Sequence, residues 1–450
     1  MNKDLTQGNI RKTLWLYCLP LMGSIVLHQI YNLADSVIAG RFLGEAALAA
    51  VGNASEITLF YTAFAMGCNM GCQVIISQLF GAKNYKSLKT GVLTSFIAFG
   101  VLCLVLMGLG IIFTKPILEL IHTPEDIMKD SVDYLEIYTL GVPFVFFYNI
   151  AQGVFGALGD SKTPFIFLAA SSIANILVDI LFVGAFNMGV RGVAWATFLC
   201  QGMSAVLSLV VLGFRLHKMK CEKFKVFSPL LLKKLSIVAL PSIMQQSFIS
   251  IGNIIVQSVV NGYGSSVIAG FTAAMKWNNI AVACFFAIAS GLSAYFAQNI
   301  GARAYDRLKD GYKEAIYFAW LIAVPFIALF CGLGKFGIEF FLDNTASSLA
   351  IDTGVRILRS IAPFYVIVSV KVVTDGVLRG AGAMKLFMID TFADLGLRVG
   401  FSFLFSYLFG SDGIWFSWGA GWAIGTVIAL IFYFKGYWKK NFDFLQNVET

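Results

Sequence analysis

Twelve long apolar stretches follow one another along this chain, and they constrain its fold more than any other feature. A helix needs ~20 apolar residues to cross a bilayer. Because backbone polar groups find no water inside a bilayer, a spanning segment must bond them internally, as an α-helix does. The sequence therefore predicts an all-α integral membrane protein with twelve transmembrane helices. The stretches lie near 14–40, 53–80, 90–114, 132–158, 163–186, 191–214, 233–262, 268–299, 312–334, 354–380, 385–409 and 413–436.

The amino-acid composition agrees with a lipid environment and argues against nucleic-acid binding as the reason for the positive net charge. Apolar residues make up 58% of the 450 residues and charged residues 13%, whereas soluble domains carry about 25% charged residues. The net charge of +8 comes from basic residues in short segments between the spans, so we expect membrane lipids and no nucleic acid as partners. The first apolar stretch continues into a full span, so no cleaved signal peptide is expected.

The distribution of basic residues predicts the orientation of the chain. Of the 33 lysines and arginines, 23 fall in segments on the same side as the N-terminus and 7 on the opposite side. Loops rich in lysine and arginine stay in the cytoplasm. The sequence therefore predicts a protein of the bacterial plasma (inner) membrane with both termini cytoplasmic.

The two halves of the chain repeat each other. Gln78-x-x-Gly81-Ala82-Lys83 recurs 220 residues later as Gln298-x-x-Gly301-Ala302-Arg303. Copies of the same orientation are related by an axis along the membrane normal, and they place substrate at their interface. We predict two pseudo-symmetric six-helix bundles: an N-lobe at 1–214, a cytoplasmic inter-lobe linker at 215–234 and a C-lobe at 235–450. Three further pairs match in register: Pro20 with Pro241, Val142-Pro143-Phe144 with Ala362-Pro363-Phe364, and Gln152-Gly153 with Asp375-Gly376.

Ionisable and amide residues inside the first six spans form a candidate cation site. Asp35 lies late in the first span, and Asn175 and Asp179 are four residues apart, which puts them on one face of the fifth helix. Asn149 and Thr197 add neutral polar groups from the fourth and sixth spans. Such a set suits a monovalent cation, with Na⁺ at Asp35, Asn175 and Asp179, or a proton shared between carboxylates. The alternative is a solvated Asp35 at the outer interface and an Asp179 that only bonds a neighbouring helix.

The second half has a different set of buried charges. Opposite charges four residues apart on a helix can neutralise each other as intrahelical pairs. Structural pairing and a role in substrate binding or gating both remain open for these residues. Asp394 and Arg398 occupy the repeat positions of Asn175 and Asp179, so the halves are chemically unequal and only the first offers a clean cation site. The charges are Lys371 and Asp375 in the tenth span, Asp390, Asp394 and Arg398 in the eleventh, and Lys276 in the eighth.

Motifs for enzyme chemistry are missing from the sequence. It contains no GxxxxGK[ST] for nucleotide phosphates, no GxSxG and no HExxH, so we expect neither an enzyme nor a cofactor. A lipid-modifying membrane enzyme is disfavoured because the conspicuous polar residues fall inside spans. A flippase for lipid-linked oligosaccharides stays open, since Lys276, Lys371 and Arg398 could hold a diphosphate.

Several motifs together resemble the multidrug and toxic compound extrusion (MATE) family across nearly the whole chain. They are Pro20 fifteen residues before Asp35, the run Asp35-Ser-Val-Ile-Ala-Gly40, the Gln-x-x-Gly-Ala-[Lys/Arg] motif in both halves, and Asn175-x-x-x-Asp179. The resemblance implies a V-shaped cleft between the lobes. It also implies a monomeric, secondary active multidrug antiporter that exports cationic or amphipathic small molecules in exchange for H⁺ or Na⁺ by alternating access.

The resemblance also implies roles for particular residues. The coupling cation would bind Asp35, Asn149, Asn175, Asp179 and Thr197, and the first helix would bend at Pro20 as the site changes occupancy. Relatives with a second-lobe cation site use a carboxylate midway along the seventh helix. Here that stretch, 241–250, contains glutamines and no carboxylate, so coupling is expected to rest on the first lobe.

Overall fold

The computed structural model describes residues 4–38, 42–121, 123–221, 223–342 and 347–442, and within these ranges all regular structure is helical. A π-helix at Ile180–Ala185 continues α5, and 3₁₀ turns cover Ala362–Phe364 and Tyr437–Asn441. The α-helices are α1 (Ile10–Ile38), α2 (Glu45–Gly81), α3 (Tyr85–Leu120), α4 (Glu125–Ala157), α5 (Lys162–Asp179), α6 (Val190–Lys218), α7 (Pro229–Asn261), α8 (Ser265–Gly301), α9 (Asp306–Glu339), α10 (Ser348–Ile361), α11 (Tyr365–Gly380), α12 (Met384–Phe409) and α13 (Ser411–Phe434).

Twelve segments within the described residues are long and apolar enough to cross a membrane, which confirms the predicted number. One of them is α5 with its π-helix, and another is α10 with α11. Most helices extend beyond the predicted apolar stretches, because polar residues at a membrane surface can continue a helix. For this reason α6 ends at Lys218 and α7 begins at Pro229, so helix occupies both ends of the predicted linker at 215–234.

The repeated glutamine–glycine–alanine motif forms the same helix end in both halves. At the end of α2 the Ala82 N–H donates to the Gln78 carbonyl at 3.0 Å, and α8 has the equivalent bond, 220 residues later, at 2.9 Å. The next residue in each half, Lys83 and Arg303, has a left-handed backbone with φ of 56°. Left-handed residues commonly terminate helices. The sequence repeat is therefore also a repeat of local structure.

The proline that the two halves share has different consequences in each. Pro143 lies inside a continuous α4. Pro363 lies in the 3₁₀ turn that separates α10 from α11. A proline inside a helix removes one backbone hydrogen bond, and the surrounding packing decides whether the helix bends or breaks.

The chain divides into two compact units, and the division falls inside two helices. Unit 1 contains Gly23–Ile243, and unit 2 contains Leu5–Met22 together with the described residues from Met244 onward. The first halves of α1 and α7 therefore belong to the opposite unit from the rest of those helices. Each division comes two residues after a proline, Pro20 in α1 and Pro241 in α7. The lobes at 1–214 and 235–450 remain a prediction.

Candidate ion-coupling site and a buried charge cluster

Asn175 and Asp179 share the buried side of α5. Both side chains have no exposed surface, whereas Ile173 and Leu177 on the other side of the helix are 62% and 64% exposed. Residues four apart lie above one another on a helix. The spacing therefore places an amide and a carboxyl group together in the interior of unit 1, as the sequence predicted.

Two neighbouring helices of unit 1 carry the neutral members of the predicted site. Thr197 is buried on α6, which packs against α5. Asn149 is half-buried on α4, and its side-chain amide donates to the Val145 carbonyl at 2.8 Å. Asp35 belongs to α1, but its side chain lies outside the described part of the structure. Its contribution to the site remains a prediction.

A π-helix begins immediately after Asp179. It covers Ile180–Ala185, and the Phe186 N–H donates to the carbonyl of Leu181, five residues earlier, at 3.0 Å. A π-turn inserts an extra residue into the helical repeat, and such turns are frequent at functional sites. Nothing in the sequence of residues 180–185 predicts this π-turn.

A buried ammonium lies among three carboxylates in unit 2. The Lys371 Nζ of α11 lies 3.0 Å from the Asp375 Oδ2 on the same helix. It also lies 3.4 Å from the Oδ2 atoms of Asp390 and Asp394 on α12. All four side chains are buried. We call Lys371, Asp375, Asp390 and Asp394 the Lys371 cluster.

The carboxylates of the Lys371 cluster outnumber its ammonium. Asp390 is fully buried, and its carboxyl group interacts with that of Asp375 as well as with the Lys371 ammonium. The Oδ1 atom of Asp394 has no hydrogen-bond donor among the described residues. A carboxylate offers about four acceptor positions, and an ammonium offers three donors. Lys371 therefore cannot satisfy the acceptors that surround it.

Arg398 lies one helical turn after Asp394 and has its own partners. Its Nη2 donates to the Asn253 Oδ1 at 3.3 Å, and its guanidinium carbon lies 4.8 Å from the centre of the Trp418 ring. The side chain is buried. A guanidinium over an indole ring gains cation–π attraction, which is strongest where water is excluded.

Lys276, another predicted substrate or gating residue, lies elsewhere. Its side chain is exposed on α8, and its Nζ lies 5.0 Å from the centre of the Phe341 ring. The ion pairs of Lys371 join α11 with α12 and do not include Lys276. Of Lys276, Lys371 and Arg398, the structure therefore places only Lys371 within 4 Å of carboxylate oxygens of the described residues.

The intrahelical pairing that the four-residue spacing predicts is observed for one pair of these charges. Lys371 and Asp375 do pair within α11. Asp390 and Asp394 instead pair across to Lys371, because a long lysine side chain reaches a neighbouring helix as easily as the next turn. For Asp390 the sequence left both structural pairing and a role in substrate binding or gating open, and did not identify Lys371 as its partner. Its four-residue spacing from Asp394, which places both carboxylates on one side of α12, was the signal that could have identified it.

A repeated twelve-span membrane protein with buried carboxylates inside its spans has the construction of a secondary transporter. The chain belongs to the MatE family, the multidrug and toxic compound extrusion family, whose sequence profile it matches over residues 20–181 and 241–404. One matched segment falls in each half of the chain. Members of this family are transporters and not enzymes, so the protein is an integral membrane transporter of small molecules that needs no cofactor.

Individual relatives extend over nearly the whole chain. The chain is 30% identical to the probable multidrug resistance protein YpnP of Bacillus subtilis (strain 168), over 97% of each protein. It is 24% identical to an FAD transporter of Shewanella oneidensis, over 77% of this chain and 76% of that protein. A solved structure of a MATE protein in complex with MaL6 superposes with a TM-score of 0.90, at 22% identity and 99% coverage of both chains. That structural similarity establishes the fold alone.

Proposed function

We propose that this protein is a secondary active multidrug antiporter, which exports cationic or amphipathic small molecules in exchange for H⁺ or Na⁺. The observation that carries the proposal is the buried group of Asn175, Asp179 and Thr197 in unit 1. Placing a carboxyl group inside a membrane span costs free energy, and the carboxyl groups found there typically belong to ion pathways. Family membership supplies the transport function, and this buried group supplies a site for the coupling ion.

The coupling ion would act by shifting an equilibrium between outward-open and inward-open states. A ligand shifts such an equilibrium only as far as its affinities for the two states differ. Loading Asp179 and Asp35 with a cation, aided by the polar groups of Asn149, Asn175 and Thr197, would provide that difference. The π-helix after Asp179 gives α5 a local turn that can change its hydrogen bonding as the site fills.

Pro20 is the proposed hinge of α1. The helix is continuous through this proline, yet residues up to Met22 belong to unit 2 and residues from Gly23 belong to unit 1. A proline inside a helix removes a backbone hydrogen bond and so weakens the helix locally. A bend at Pro20 would let the two parts of α1 follow their own units during transport.

The substrate class rests on the relatives and on the charge of unit 2. The relative YpnP is named a probable multidrug resistance protein. A flippase would need basic residues to hold a diphosphate, but Lys371 is surrounded by three carboxylates and Lys276 stacks on Phe341. These surroundings favour cationic over anionic solutes. We also propose that the protein works as a monomer in the bacterial inner membrane, with both termini cytoplasmic.

Everted membrane vesicles provide the test of this function. A fluorescent cationic dye would be followed under an imposed H⁺ gradient and, separately, under an imposed Na⁺ gradient. We expect one gradient to drive dye movement in the wild type. We expect Asp35→Asn and Asp179→Asn to abolish that movement at unchanged levels of inserted protein.

The control is Asp126→Asn, which neutralises an exposed acid at the start of α4 in unit 1. This variant should transport as the wild type does. Dye movement that survives in Asp179→Asn would contradict the proposed coupling site. No movement under either gradient, with FAD moving instead, would contradict the proposed substrate class, since one relative is named an FAD transporter.

A further inference from the structure

The distances around Lys371 are those of an ammonium site and not of a metal site. Its Nζ lies 3.0–3.4 Å from one oxygen of each of the three carboxylates. Oxygen ligands hold a metal ion such as Ca²⁺ much closer, at about 2.3–2.6 Å. The described residues contain no group of acids, histidines and cysteines arranged to hold a metal ion. The carboxylates are therefore spaced for a cation of the size and bonding pattern of an ammonium.

Two glycines of α13 form one wall of this site. A Cβ on Gly425 would lie 3.3 Å from the Lys371 Cε and 3.1 Å from the Asp394 Cβ. A Cβ on Gly421 would lie 3.2 Å from the Asp394 Oδ1. All three distances are tighter than normal side-chain contacts. The absence of side chains here leaves room for the lysine stem and for the carboxylate of Asp394.

The site has more acceptor capacity than a simple ion pair requires. Asp390 is completely buried, its carboxyl group interacts with that of Asp375, and its nearest cationic group is the Lys371 ammonium, 3.4 Å away. Burying an ion pair is favourable only when its remaining lone pairs are also satisfied. Lys371 supplies the ammonium that lies within 3.4 Å of all three carboxylates, so the cation affinity of this group of acids is met from within the chain.

We propose that Asp375, Asp390 and Asp394 form a primary-ammonium site that Lys371 fills from within the chain. The Lys371 ammonium is thus a cation that is covalently attached to the chain. Because it fills the site, the wild-type protein needs no mobile ion there. When the lysine is shortened, a free alkylammonium ion binds in its place. This inference concerns binding in unit 2 and is independent of the proposed coupling in unit 1.

Chemical rescue of Lys371→Ala tests the proposal. This substitution removes the atoms of a propylammonium ion, which is therefore the probe. Thermal unfolding of the full-length protein in detergent would be followed in propylammonium chloride and in choline chloride at equal ionic strength. We expect propylammonium to raise the unfolding midpoint of Lys371→Ala saturably, by about 5 °C, and that of the wild type by less than about 1 °C.

Two controls separate occupation of the site from general effects of the salt. Lys385→Ala removes an exposed lysine near the start of α12 and should show no rescue. Lys371→Ala combined with Asp390→Asn should lose most of the rescue. Equal rises in all variants, or no rise in folded Lys371→Ala, would overturn the proposal.

A second measurement applies even if Lys371→Ala cannot be purified. Because Lys371 keeps Asp375 and Asp394 as partners, Asp390→Asn in the otherwise wild-type chain should lower the unfolding temperature only slightly. Lys371→Met, which keeps most of the packing volume, should unfold at a lower temperature or not fold. Destabilisation by Asp390→Asn as large as that by Lys371→Met would mean that Lys371 and Asp390 form a single ion pair, and would overturn the proposal that three carboxylates share the ammonium.

Discussion

Gly153 of α4 lies so close to Asn69 of α2 that a Cβ on Gly153 would stand 2.5 Å from the Asn69 backbone oxygen. The second half of the chain repeats this contact. A Cβ on Gly376 of α11 would overlap the backbone oxygen of Ala289 of α8, and Ala289 is 220 residues after Asn69. Real Cβ atoms do not approach oxygens this closely. The glycine shared by the two halves is therefore the point where two helix backbones meet.

Adding a methyl group at this crossing should destabilise either unit. Gly153→Ala and Gly376→Ala would force the helices apart, at a cost of about 1–3 kcal/mol each, which is typical of overpacking. Thermal unfolding of purified protein in detergent measures the effect. Gly396→Ala is the control, because no atom lies within 4 Å of the position its Cβ would take. A control variant as unstable as Gly376→Ala would refute the close-contact explanation.

The parts of the fold that depend on composition and repetition could be predicted from the sequence. Each span could be predicted from its length and its apolar residues, because lipid replaces water as the solvent around it. The recurrence of Gln78 and Gly81 as Gln298 and Gly301 predicted a repeat, and both copies end their helices with the same hydrogen bonds. The burial of Asn175 with Asp179 followed from the helical period alone.

Features that depend on tertiary packing could not be predicted. Pro143 and Pro363 match in sequence, but only Pro363 separates two helices, since the neighbours of each proline decide how its lost hydrogen bond is accommodated. The π-helix after Asp179 carries no sequence signal. The pairing of Asp390 with Lys371 joins two helices, so intrahelical spacing could not reveal it.

The hinge proposal predicts opposite effects of one substitution on stability and on transport. Pro20→Ala restores the backbone N–H that proline lacks, so α1 should become stiffer and the protein more resistant to heat. Dye export should fall several-fold if α1 must bend at Pro20. Export and thermal unfolding of the same preparation check both effects. Unchanged export in a stabilised Pro20→Ala variant would show that α1 does not need this hinge.

The attachment of the N-terminal segment to unit 2 can be tested at Gln298. The buried Leu5 N–H donates to the Gln298 Oε1 at 3.0 Å, and the Asn299 side-chain amide donates to the Leu5 carbonyl at 3.3 Å. Gln298→Ala would leave the Leu5 N–H without this acceptor, at a cost of about 1–3 kcal/mol. Thermal unfolding should show this loss. Gln257→Ala is the control and should cause little change, because the side-chain amide of this half-buried residue makes only an exposed hydrogen bond to Asn261.

Arg398 should not tolerate replacement by lysine. The guanidinium donates to Asn253 while it lies over the Trp418 ring, and an ammonium cannot reproduce both contacts. We expect Arg398→Lys to lower the free energy of unfolding by about 1–2 kcal/mol. Arg356→Lys is the matched control, since Arg356 pairs with Asp412 at 3.0 Å on the surface. Exposed pairs contribute only about 0–1 kcal/mol. Equal losses of unfolding free energy in the two variants would mean that the buried contacts of Arg398 stabilise the protein no more than a surface ion pair does.

The most direct test of the account is ion movement driven by substrate in reconstituted proteoliposomes. A gradient of cationic dye would be imposed across the membrane with no ion gradient, and luminal pH and Na⁺ would be recorded with fluorescent indicators. The account predicts that the dye gradient drives one of the two ions in the opposite direction, and that Asp179→Asn abolishes this flux while Asp126→Asn preserves it. Dye movement without any ion flux, or equal ion flux in Asp179→Asn and wild type, would contradict coupling at the buried site of unit 1.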